Sequence, residues 1–195
     1  MKSLLFTLFL GICQISWAQD TIAELPYREI PESSESFTAG TVAARMIDGL
    51  GFRYYWATDG LRQEDLDYRP NDEARATSET IDHIYSLSIT IVNATLNKAN
   101  VSGGEKEDLT YDEKRERTLH NFKMAADILR LSDDISEFKT IFKSDKSENS
   151  FDYWNQINGP IEDAIWHCGQ VVLLRRASGN PFNSKVNLFT GKVRG

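Results

Sequence analysis

The stretch Pro160–Gly179, PIEDAIWHCGQVVLLRRASG, decides how the rest of the chain is read. It predicts a helix. Pro160 suits the first turn, where its missing N–H costs nothing. Glu162 and Asp163 follow at the positive end of the helix dipole, and Arg175 and Arg176 lie near the negative end. Gly179, with Asn180-Pro181 behind it, stops the helix. Asp163 and His167 are four apart, so their side chains leave one face a turn from each other. That spacing presents two ligands to one metal ion, and it serves equally for a capping acid and a packed imidazole. Cys168 and Glu162 point to other faces, so Cys168 reads as a packed thiol. Arg175 and Arg176 read as surface charges that complement the dipole.

Three further amphipathic segments lie upstream. Thr38–Thr58 carries Val42, Met46, Leu50, Tyr54 and Ala57 at helical spacing. Gly49 and Gly51 weaken this helix and suggest close packing against a neighbour. Arg53, Tyr54, Tyr55 and Trp56 at its end read as core and end-packing residues. Asp59-Gly60 breaks it, and Leu61–Ala76 reads as a charged, structured loop. Thr77 or Ser78 caps a second helix that runs to about Ala99, with Leu87, Ile91 and Ala94 as its apolar stripe and His83 on the same side. Asn100–Gly104 is a turn. Asn93-Ala94-Thr95 and Asn100-Val101-Ser102 match the glycosylation tripeptide and read as chance matches. A third helix covers about Thr110–Leu131, and Ile135–Phe142 suggests one short further helix before a polar loop, Lys143–Ser150. The tail Asn180–Gly195 has no helical period. Without repeats or βαβ alternation, the pattern predicts an all-α fold, a four-helix bundle over 38–195 with an irregular C-terminal tail.

The first 18 residues stand apart from this domain. Lys2, the apolar run Leu4–Ile12 and Ser16-Trp17-Ala18 predict a secretory signal peptide cut after Ala18, hence an exported, periplasmic or secreted protein. The apolar run is too short to span a bilayer, and Ile12 weakens a lipid-anchor reading at Cys13. Residues 19–37 read as an extended arm. Removing 18 of 195 residues leaves 177, enough for one domain with a sizeable core. With Lys2 gone, 21 Lys and Arg stand against 29 Asp and Glu, a charge of −8. No basic block with interleaved aromatics offers a footprint for nucleic acid. Cys168 is then alone, so no internal disulfide forms.

That chain contains three histidines, His83, His120 and His167. A lone histidine on an apolar face is usually a packed residue, and His120 reads as surface or packing. If the starts of the second and fourth helices lie at one end of the bundle, His83 meets Asp163 and His167. Two imidazoles and one carboxylate suit a divalent metal ion, Zn, Ni, Fe or Mn, with positions left for water. Gln170, three residues after His167, is a candidate hydrogen-bond partner behind that ligand.

Three stretches carry a family resemblance: Tyr54–Pro70, YYWATDGLRQEDLDYRP; Ser78–Ile84, SETIDHI; and Ile161–Asn180, IEDAIWHCGQVVLLRRASGN. Together they resemble the DinB-like (DinB/YfiT-type) superfamily. The resemblance spans nearly the whole domain. It implies a four-helix bundle of that type, with His83 as first metal ligand, Asp163 as second and His167 as last. The family most often has His at the middle position, where this chain has Asp163. It further implies a metal-dependent hydrolase of an unidentified small molecule, or a metal- and thiol-dependent transferase. Export disfavours the latter, because the thiols it uses are cytosolic. A non-catalytic exported binding or stress-related bundle is the other expectation. Relatives often form dimers, so a homodimer is also among the expectations.

Overall fold

The computed structural model describes residues 24–103 and 107–195. The signal-peptide reading and the first residues of the arm fall outside this range. The chain is mostly helical. Its long helices are α1 (Ala39–Thr58), α3 (Thr77–Thr95), α4 (Tyr111–Arg130) and α6 (Glu162–Ala177); short helices α2 (Gln63–Asp67) and α5 (Trp154–Gln156) lie between them. Each long helix packs on two others, in the ring α1, α4, α3, α6. The consecutive helices α1 and α3 therefore face each other across a diagonal.

Side-chain contacts fix the directions. Asp48 pairs with Arg130 at 2.7 Å and Thr58 with Arg115 at 3.0 Å, so α1 and α4 are antiparallel. Asp82 meets Lys114 at 2.7 Å and Ser88 meets Asn121 at 3.0 Å, so α3 and α4 are parallel. His83 meets Asp163, and the Thr90 carbonyl meets Gln156, so α3 and α6 are antiparallel. The order is up, down, down, up. Two parallel neighbours that follow one another need a long crossover, and here residues 96–110 supply it.

The termini of α1 explain several residue types. Thr38 caps its start, taking the Thr41 N–H on its side chain. Its end is buried, with no basic residue in the last turn. The last carbonyls of a helix have no partner within it, so other helices supply donors. Arg115 of α4 reaches the Tyr55 carbonyl at 3.3 Å, and Tyr111 donates to the Thr58 carbonyl. Arg175 of α6 donates to the Trp56 and Ala57 carbonyls, each at 3.0 Å. Arg175 is thus a buried clamp, not the surface charge its position near a helix end suggested. Gly51 does pack closely: a Cβ there would lie 2.3 Å from the Tyr27 ring, whereas at Gly49 it would meet only the tip of Arg53.

Three stretches depart from the sequence expectation. Ile135–Phe142 is not a helix beyond a single turn at Ile135–Glu137. It continues as strand β2 (Lys139–Lys143), which pairs antiparallel with β3 (Glu148–Asp152) and parallel with β1 (Asn100–Val101). The polar loop thus shrinks to a hairpin turn. The two tripeptide asparagines hold this sheet to α3, Asn93 donating to Asn100 at 2.9 Å and Asn100 to the Ile141 carbonyl at 3.0 Å. The tail contains a two-stranded ribbon, β4 (Val186–Asn187) with β5 (Lys192–Val193). Finally, the helical path into α6 begins at Trp154. It passes through a wide turn at Ile157–Ile161, where Gly159 leaves helical geometry and Pro160 follows.

Candidate metal centre

His83, Asp163 and His167 come together on the α3–α6 seam. His83 Nε2 lies 3.1 Å from Asp163 Oδ2, and His167 Nε2 lies 3.3 Å from Asp163 Oδ1. The imidazole rings stand edge to face with centroids 4.7 Å apart. One ligand atom from each residue falls within 4.8 Å of the others. The route to this convergence differs from the expected one. Because α3 and α6 are antiparallel, their starts lie at opposite ends. The preceding helical segment from Trp154 occupies the far part of α3, through the Gln156–Thr90 contact at 3.3 Å. That extension places Asp163 beside the second turn of α3, opposite His83.

The donor set fits a divalent ion. Two imidazoles and a carboxylate are the donor types such an ion takes. His83 approaches Asp163 Oδ2 and His167 approaches Oδ1, so the two rings meet different oxygens of one carboxylate. The proton arrangement points the same way. His167 Nδ1 donates to Gln170 Oε1 at 2.7 Å. In the neutral ring this leaves the Nε2 lone pair facing a carboxylate oxygen. Two acceptors at that distance repel unless a cation or a proton lies between them. Gln170 thereby does what a residue behind a metal-binding histidine does: it fixes tautomer and ring orientation.

The triad is open to solvent. The side chains of His83 and Asp163 are 34% and 43% exposed, and that of His167 12%. They line a groove of about 660 Å³, with Arg75 and Leu173 also on its walls. Thr80 lines it too, but its hydroxyl is committed to the Ala76 carbonyl at 3.1 Å.

Other sequence candidates lie elsewhere. His120 is on the outer surface of α4, its ring bound to the Glu116 carbonyl at 2.9 Å. Cys168 is buried, and burial pushes its thiol up to about 12, so it is a packed and unreactive group at neutral pH. Sequence reasoning missed Asp65. Its fully buried carboxylate accepts from the Arg62 guanidinium at 2.9 and 3.0 Å, the Arg62 N–H at 2.8 Å, Ser178 at 2.6 Å and Asn180 at 2.7 Å. Arg175 binds Asn180 as well. The stretch Tyr54–Pro70 therefore meets the end of α6 through a polar network. The available signal was an acid one turn after Arg62 in a loop already read as structured.

Among the described residues, no helix is long and apolar enough to cross a membrane. Comparisons of this chain with family models, curated proteins and solved structures find no match.

Proposed function

We propose that the chain is an exported, DinB-like four-helix-bundle protein that hydrolyses a small molecule with a divalent metal held by His83, Asp163 and His167. The observation that carries this reading is the solvent-open convergence of the three side chains, with the His167 ring held by Gln170 so that Nε2 faces Asp163. The three stretches that carry the resemblance meet at two polar clusters, His83 with Asp163 and Asp65 with Asn180, which supports reading them together. A bound ion would supply Lewis acidity and lower the pKa of a water toward neutrality.

The chain's own groups define the rest. Asp163 contributes the one negative charge of the donor set, and Gln170 keeps the His167 ring from rotating away. Cys168 is inert and points into the core, so it supplies no nucleophile. The test is a panel of chromogenic esters, amides and phosphoesters assayed with Zn²⁺, Ni²⁺, Fe²⁺ or Mn²⁺, with and without chelator. Hydrolysis that depends on metal and is lost in His83→Ala and His167→Ala is the expected result. Stoichiometric metal binding with no turnover of any class would support a binding module instead.

A further inference from the structure

The groove that holds the triad has a polarity beyond the metal ligands. Arg75 lines it from the residues just before α3. Among the described residues Arg75 has no carboxylate partner, whereas its neighbour Arg69 is paired with Glu79 at 3.6 Å. Gln170 spends its carbonyl oxygen on His167, and its amide nitrogen has no acceptor among the described residues. One permanent cation and one amide donor thus line the same groove as the triad. The remaining walls include Pro70, Ala74, Leu173 and Leu174. Leu173 is 65% exposed and gives the groove an apolar face.

Resting on the metal-centre reading, we infer that the groove takes a small monocarboxylate with an apolar body. The carboxylate pairs with Arg75, the Gln170 amide donates to it, and the body lies against Leu173. A guanidinium matches a carboxylate in shape and in charge. A phosphate monoester carries nearly two charges and calls for more donors than this groove offers. Among the lining residues Arg75 is the only fixed cation, and Asp163 the only acid.

The probes are hexanoate, its neutral counterpart hexanamide, and hexyl phosphate. Each is titrated by calorimetry into metal-free and Zn²⁺-loaded protein, wild type and Arg75→Gln. Arg75 is on the surface, so Arg75→Gln is expected to keep the wild-type melting temperature and metal content. The inference expects hexanoate to bind at least about tenfold more tightly than hexanamide, and Arg75→Gln to remove about tenfold of that affinity. It is overturned if hexanoate shows no saturable binding, binds no better than hexanamide, or binds Arg75→Gln as it binds wild type. Tighter binding of hexyl phosphate overturns the monocarboxylate assignment. Hexanoate binding that depends on Arg75 in a protein that takes up no metal upholds the inference and sinks the metal-centre reading, so the two failures are distinct.

Discussion

Among single residues, Gln170 separates a metal ligand set from a chance cluster. Its carbonyl oxygen holds His167 Nδ1 at 2.7 Å. Gln170→Leu removes that acceptor, frees the ring to rotate and allows the other tautomer. Metal affinity is expected to fall by about 10–100-fold, with Gln170→Glu keeping it, because a carboxylate accepts the same proton. Titration of the two variants with Zn²⁺ checks this; equal affinities would show that the contact is incidental. Four-residue spacing made the Asp163–His167 face legible and the apolar stripe put His83 on the core side, but their meeting was expected from helix starts at one end of the bundle, and α3 and α6 run antiparallel. Gln170 was legible by spacing as well. Arg175 was not, because its partners at the end of α1 lie more than 100 residues away. For Asp65 the Arg62 pairing was within one turn, but the Ser178 and Asn180 contacts that tie it to α6 were not legible.

At the level of elements, the burial of the α1 end determines what α4 and α6 must provide. Arg175→Met leaves the Trp56 and Ala57 carbonyls buried without a donor. It also removes the two hydrogen bonds to Asn180, so four charged hydrogen bonds are lost. The expected cost is at least about 3 kcal/mol, a fall in Tm of at least about 6 °C. Thermal denaturation followed by circular dichroism checks it; a change of under about 1 °C would show the clamp to be dispensable. Helix boundaries were legible where side chains cap the start: Thr38 and Thr110 each accept an N–H of the first turn. The second helix starts at Thr77, because Ala76, not Thr77 or Ser78, is its N-cap: Ala76 has no side-chain acceptor to offer, and its own N–H goes to the Glu79 carboxylate at 2.6 Å. The β2–β3 hairpin was hidden. β3 is exposed along its length, so no apolar alternation marks it, and β2 owes its other pairing to residues 100–101. The start of the last helix was hidden as well, because Pro160 reads as a first-turn residue and here sits inside a wide turn.

For the molecule as a whole, the Asp65 network links stability to pH. The Arg62 guanidinium above all, with Ser178 and Asn180, holds the Asp65 carboxyl well below the usual carboxylate range, against the opposing effect of burial. A carboxyl whose folded pKa is depressed stabilises the fold in full above its unfolded value, about 3.9. It loses that contribution as pH falls toward the folded value. Asp65→Asn is expected to be less stable at pH 7 by roughly 2 kcal/mol, a buried-pair loss reduced because Arg62 is half exposed. The gap to wild type narrows below about pH 4. Urea titrations at pH 7 and pH 3 check this, and a gap that widens with acid would contradict it. The overall order of helices was only partly legible. Amphipathic periods gave four long helices, but not which of them are parallel, because the crossovers carry no pattern of their own. The most direct measurement is calorimetric titration of Zn²⁺ into metal-free protein that carries no histidine tag. One ion per chain, a higher Tm on loading, and loss of both effects in His83→Ala and His167→Ala are predicted. Absence of binding, or binding unchanged in both variants, would contradict the metal centre.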